Sequence, residues 1–187
     1  YHIRSLYFDS LYDKALFEKL AGVPVRDKYR IRYYHFDPSF LRLEKKEKRY
    51  SAGAKRSMPL DAKEAARILQ GDDEFLKTSS QALAREFYLA LHTQILIPKT
   101  IVQYRRYAFI YPVANVRVTV DTDLRASADV RHFLDRRVPM APMLEKGGSI
   151  VEVKWDEFCP EFILDLVQME NRQTAAASKY ALCRQFW

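Results

Sequence analysis

Cysteine is nearly absent from this chain: Cys159 and Cys183 stand alone among 187 residues. Two unpaired thiols exclude a disulfide framework and a paired-cysteine zinc site, and they suit a reducing, cytoplasmic setting. The four histidines (His2, His35, His92 and His132) are scattered without metal-ligand spacing. No apolar run approaches the roughly 20 residues needed to span a bilayer, and no signal peptide is visible. Glycine is scarce as well, at five residues. None builds a phosphate-cradling loop, no repeat is present and strands do not alternate regularly with helices, which argues against Rossmann and P-loop nucleotide folds. What the chain does have is hydrophobic residues at 48%, aromatics at 13% and a net charge of +7. That composition folds, as one domain with a real core. The positive balance favours an anionic partner: nucleic acid, a phosphorylated metabolite, polyphosphate or acidic lipid.

The charge is patterned. Five strand-like segments, KYRIRYY (28–34), FLRLEKK (40–46), VQYRRYAF (102–109), VRVTVDT (116–122) and IVEVKW (150–155), each carry charged residues at alternate positions. Side chains alternate faces along a strand. Lys28, Arg30 and Arg32 therefore share a face, as do Arg42, Glu44 and Lys46, then Tyr104 and Arg106, then Arg117, Thr119 and Asp121, then Glu152 and Lys154. The opposite positions carry Tyr29, Ile31 and Tyr33; Leu41 and Leu43; Val116, Val118 and Val120; and Val151, Val153 and Trp155. A sheet built from these strands has one apolar surface and one crowded with cations plus a few carboxylates.

Around these strands the spacing predicts another strand at 3–9, a short helix within 10–21 closed by Gly22, and turns at Asp37–Pro38 and Gly53. It further predicts a helix from the N-cap Asp61 to Gly71, a second over 73–93, and a short helix near 128–133. Helices at 160–170 and from about 174 complete the chain. The expectation is a single α+β domain over 1–187, many antiparallel strands with helices inserted between hairpins; if the sheet closes with its charged face inside, it becomes a basic tunnel suited to a polyanion.

A solvated sheet face also alternates polar residues. Repetition over five strands, together with apolar faces that helices can cover, favours charges that line an interior or form one wide basic patch. Facing arginines repel unless an anion or carboxylate sits between them, and their donor forks suit phosphate oxygens. Carboxylates on the same faces, Glu152 and Glu44 above all, fit a divalent metal bridging carboxylate and phosphate, or neutralisation of neighbouring cations. The aromatics Tyr29, Tyr33 and Phe109 fall opposite the cations, which argues against an RNA-stacking platform.

The strings SLYFDS (5–10), YRIRYY (29–34), LEKK (43–46), QYRRYAF (103–109), VRVTVDT (116–122), VEVK (151–154) and SKY (178–180), taken in order, resemble the vacuolar transporter chaperone (VTC) domain. This is the polyphosphate polymerase branch of the triphosphate tunnel metalloenzymes, the CYTH-like superfamily. The resemblance implies an antiparallel closed β-barrel with helices packed outside, whose tunnel holds triphosphate or polyphosphate, and a Mn²⁺- or Mg²⁺-dependent polymerase moving the terminal phosphate of ATP onto polyphosphate. By that resemblance Arg30, Arg32, Lys46, Arg106, Arg117 and Lys179 are catalytic. Tyr104, Lys154, Ser178, Lys28 and Lys55 bind phosphate, and Glu152, with Glu44, holds the metal. A further family strand is expected upstream of Tyr1, and Ala175–Ala177 stand where a family lysine is expected. The alternatives are hydrolysis of triphosphate or polyphosphate and a binding module without chemistry; neither nucleic acid nor membrane is expected as a partner.

Overall fold

The computed structural model describes residues 1–168 and 177–184. Eight strands, β1 (His2–Ser10), β2 (Val25–Tyr34), β3 (Asp37–Arg49), β4 (Ala52–Leu60), β5 (Leu96–Tyr111), β6 (Val116–Ser127), β7 (Ala141–Pro142) and β8 (Ser149–Lys154), form one antiparallel sheet. The helices are α1 (Lys14–Leu20), α2 (Ala62–Leu69), α3 (Glu74–Lys77), α4 (Ala82–Thr93), α5 (Glu161–Val167) and α6 (Lys179–Arg184). The strand order is β4-β3-β2-β1-β5-β6-β7, with β8 on the far half of β6.

The expected closed barrel is not formed: among the described residues β8 pairs only β6, and β4 pairs only β3. The sheet is an open, curled trough. It bends far enough for Lys46 on β3 to feel the charges of Lys154 and Glu152 on β8. Nor are all the helices outside, since α6 packs on the inner, charged face.

Alternation sorts the two faces as the sequence predicts over β1–β3. Leu6, Phe8, Tyr29, Ile31, Tyr33, Leu41 and Leu43 turn outward and are buried under α2, α3 and α4 with Leu76, Ala84 and Phe87. Asp61 and Glu64 close a reciprocal capping box that starts α2. Lys45, which the alternation leaves to solvent, is instead buried on this outer side and gripped by Asp27, Glu47 and Glu86, tying α4 to the sheet. Arg4, 2% exposed, donates to Gln103 and to the carbonyls of Phe133, Asp135 and Arg136 and pins the loop after β6. The far wing of the sheet has no such cover. Tyr107, Phe109 and Trp155 stay exposed beside Val118, Val120, Val151 and Val153, so the helices cover less of the apolar surface than its pattern suggests.

Several boundaries shift for local reasons. The first hairpin turns at His35–Phe36, both at positive φ, so Asp37–Pro38 belongs to β3. The second turns at Tyr50–Ser51, and Gly53 lies within β4. The strand β4 has no alternation to reveal it, because it is an exposed edge of small and polar residues. The helix expected over 73–93 is broken at 78–81 into α3 and α4, and the segment near 128–133 is a single 3-10 turn at Val130–His132. Helix α1 begins only at Lys14, after the left-handed Asp13. The ends of the last two predicted helices, 169–170 and 174–176, lie outside the described residues, as do two of the three alanines before Ser178.

Phe87 is fully buried, edge-on to Phe8 at 5.1 Å and 5.2 Å from Tyr29. Phe87→Ala is expected to lower unfolding free energy by about 3–5 kcal/mol. The exposed Leu166→Ala is expected to change it by less than about 0.5 kcal/mol. Urea denaturation with the slope held in common checks both.

Candidate anion-binding face

Register, rather than any single motif, assembles the site. Lys28 opposes Lys46, which opposes Lys55; Arg30 opposes Glu44, which opposes Ser57. On the other wing Arg106 opposes Asp121, Thr119 opposes Glu152 and Arg117 opposes Lys154. Tyr104 and Arg106 share the inner face by alternation, and a register shift opposite Gln103 and Arg105 puts an extra residue into β6 at the left-handed Asp123, so that Asp121 and Leu124 both turn inward. Every candidate residue of the sheet therefore shares one surface, and α6 adds Lys179.

Two kinds of cation occupy this surface. The first kind is neutralised. Arg30 donates to Glu44 at 2.6 Å through Nε and to the Tyr7 hydroxyl at 3.0 Å, and Lys55 reaches Glu44 at 3.3 Å. Arg106 grips Asp121 through two bonds of 2.6 and 2.7 Å, and Lys179 reaches the same carboxylate at 2.6 Å. Lys154 pairs with Glu152 at 3.0 Å, and Arg106 lies 3.9 Å from that residue. Glu44 and Asp121 are fully buried. Burial alone would raise both carboxyls; Arg30 and Arg32 around Glu44, and Arg106 and Lys179 around Asp121, hold them below the usual range instead.

The second kind has no carboxylate among the described residues. Arg32, 7% exposed, finds only hydroxyls: Ser5 at 2.9 Å and Tyr104 at 3.2 Å. Lys28 lies over the Tyr180 ring at 5.0 Å, and burial brings its ammonium down to about 8. Lys46 is exposed, yet the protein atoms crowding its ammonium and then the nearby Arg30 lower it as well. Arg117 is exposed near the rim of β6, without an ion pair among the described residues. Withdrawing a charge from water without a counter-ion is unfavourable, so the buried Arg32 and half-buried Lys28, with Lys46 beside them at the surface, present charge that a multivalent anion can neutralise.

Aromatics support the cations. Tyr104, 2% exposed, has Arg106 at 5.3 Å and Lys179 at 5.1 Å from its ring centre. Tyr7 stacks on Tyr180 at 5.1 Å. Burial would raise the Tyr7 phenol, but Arg30 and Arg32 outweigh it and bring it down to about 8. The strings that contain Tyr7, Asp9 and Tyr180 assign none of them a role, and in the sequence Asp121 reads as a secondary acidic ligand, a salt-bridge partner of a cation or a turn residue; the structure makes it the partner of Arg106 and Lys179. Their positions on strands were legible; which cation each would meet was not.

A divalent metal fits one place. Glu152 has 38% of its side chain exposed, whereas Glu44 is closed in by Arg30 and Lys55. A single carboxylate beside a phosphate site is the usual protein contribution to Mg²⁺ or Mn²⁺, the remaining ligands being phosphate oxygens and water. Among the described residues, the three-ligand grouping of histidine and carboxylates is Asp73, Glu74 and His92, on the outer helices. The cavity of about 170 Å³ beside α1 and β2 is lined by both signs of charge and contains none of the unpaired cations.

Thirteen solved chains are similar to this one. Among them is a Bacillus halodurans protein described as a candidate adenylate cyclase, 15% identical, with a TM-score of 0.46 over 67% of this chain and 58% of that one. This chain thus spans less than two thirds of that protein's length. No curated protein matches it. The VTC domain model matches residues 1–187. From end to end, then, the chain belongs to the VTC domain family.

Proposed function

We propose that this chain is a metal-dependent phosphotransferase that binds a nucleoside triphosphate on the inner face and extends polyphosphate with the terminal phosphate of ATP. The observation that carries this reading is the set Arg32, Lys28 and Lys46, turned to one face without carboxylate partners among the described residues, with Arg32 buried, Lys28 half-buried and Lys46 open to solvent. A chain of phosphates supplies the missing negative charge at several points at once, which no single carboxylate ligand does.

Arg30 and Arg32 are held by Glu44, Tyr7, Ser5 and Tyr104 before any ligand arrives, so their forks are preorganised. With Arg106 and Arg117 they bind the nucleotide phosphates and stabilise charge on the equatorial oxygens of a loose transition state. Lys46 and Lys179 act on the acceptor and the leaving group, and Lys28, Lys55, Tyr104, Lys154 and Ser178 guide the rest of the chain. Glu152 would hold the divalent ion, which supplies charge neutralisation at bridging phosphate oxygens. The terminal oxygen of the acceptor attacks the γ-phosphorus as the bond to the β-phosphate oxygen breaks, and the nucleoside diphosphate leaves. The acceptor oxygen is already ionised, so no general base is required.

One observation favours a second reading, hydrolysis with water as acceptor. Tyr7, brought down to about 8 beside Arg30, is a group able to take a proton from water near neutral pH.

Incubation with ATP and Mn²⁺, with products resolved on a gel, separates the two. A ladder of phosphate chains that is absent from Glu152→Ala is the expected result; phosphate release without chains sinks the polymerase reading in favour of hydrolysis. Arg32→Ala is expected to lower kcat/KM roughly 100-fold or more, the scale of losing one preorganised charge-stabilising donor; unchanged turnover would remove Arg32 from the mechanism.

The pH dependence has a definite sign. As pH rises through about 8, Lys28 loses its positive charge and Tyr7 gains a negative one. Both changes repel an anion, so triphosphate affinity falls between about pH 7 and pH 9. Lys28→Met removes one of the two titrations and flattens the fall. Titration calorimetry on both proteins at matched pH checks this, because the ligand's own ionisation cancels in the ratio.

A further inference from the structure

The two ends of the chain meet at one carboxylate. Asp9, 1% exposed, accepts from the backbone N–H groups of Ser10 at 2.7 Å, Ala15 at 2.8 Å and Leu16 at 3.0 Å. These local bonds fix the turn out of β1 and satisfy the first N–H groups of α1. A fourth bond arrives from 171 residues away: the Tyr180 hydroxyl donates to Asp9 at 2.6 Å in a buried setting. Arg184 adds a second tie by donating to Asp13 at 2.8 and 2.9 Å.

Among the described residues helix α6 spans the six residues Lys179–Arg184, too few to be stable alone. Tyr180 and Cys183 bury it among Ile3, Val102, Leu124 and Ala126 on the inner face. Apolar burial is non-directional and does not by itself set how so short a helix is rotated. The hydrogen bond to Asp9 is directional, and Lys179 is the adjacent residue. With Tyr180 seated, the Lys179 ammonium reaches Asp121 and lies over the Tyr104 ring. The same seating places the Tyr180 ring under Lys28 and against Tyr7.

We infer that Asp9 is a positioning residue for this face: through Tyr180 it sets Lys179 where it meets the phosphate chain. The inference rests on the reading of the face as a phosphate site. It predicts that the tether matters to the anion through Lys179, not through general stability.

The test is calorimetric titration of inorganic triphosphate, in metal-free buffer, into the whole chain and into Tyr180→Phe, Lys179→Ala and the double variant. Tyr180→Phe keeps the ring, its stack on Tyr7 and its apolar packing, and loses only the tether; Asp9→Asn is the matching change on the other partner. Tyr180→Phe is expected to weaken triphosphate about tenfold, the scale of one hydrogen bond to a charged group. In the Lys179→Ala background the same change is expected to have little further effect, the mark of two residues acting as one unit. Affinity unchanged in Tyr180→Phe, or a loss that simply adds to that of Lys179→Ala, overturns the inference and leaves triphosphate binding standing. An unaltered chain that does not bind triphosphate overturns the phosphate reading and the inference with it.

Discussion

Arg30 and Arg32 sit two residues apart on one strand and face the same interior, and most of the charged face is arranged around that fact. Guanidinium groups placed so close repel, and withdrawing them from water is unfavourable. The structure answers differently at each. Arg30 receives the fully buried Glu44 and becomes a near-neutral pair. Arg32 receives two hydroxyls and keeps its charge. The same division runs across the sheet: Asp121 neutralises Arg106 and Lys179, whereas Lys28 and Lys46 find no carboxylate partner among the described residues and lose part of their hold on the proton. The carboxylates fix the paired cations in place, and the unpaired cations are left with charge still to be neutralised.

This division explains why glutamates and aspartates stand on a face meant for an anion. A face with every carboxylate removed would gather several more uncompensated charges in one trough and would not stay folded around them. A face with every cation paired would bind nothing. Glu152 is intermediate, paired to Lys154 yet open to solvent. Its carboxyl stays ionised because Lys154, Lys179 and Arg106 outweigh its burial. A carboxylate of that kind, beside cations that draw in phosphate, is where a hard divalent ion finds oxygen from both sides.

Strand periodicity made most of this face legible in the sequence. Placing Lys28, Arg30 and Arg32 together needs only the two-residue period, and so does turning Leu41 and Leu43 the other way. What periodicity could not supply was sheet-level geometry. The strand β4 buries only Met58 and Leu60 at its end, so its first six residues carry no pattern, and without it the opposition of Lys55 to Lys46 is invisible. The hairpin turn at His35–Phe36 uses left-handed residues that are neither glycine nor asparagine, so the usual signal points two residues too late. The failure of the sheet to close depends on which edges find partners, and strand composition does not determine that.

The least legible part is the meeting of the chain's ends. Asp9 lies near the end of β1 and Tyr180 in a short helix, and each taken alone has an ordinary local explanation. Their hydrogen bond matters because the sheet is open. In a closed barrel the wall itself would fix the position of every inward side chain. In a trough, a cation supplied from outside the sheet must be held by something else, and α6 is too short to hold itself. The carboxylates of Asp9, Asp13 and Asp121 do so at three points along that helix. Asp9 lies near the end of β1 and Asp13 in the turn that follows it, and β1 is the strand at the centre of the sheet. The helix that adds Lys179 to the charged face is therefore anchored at the middle of the sheet and not at one of its edges.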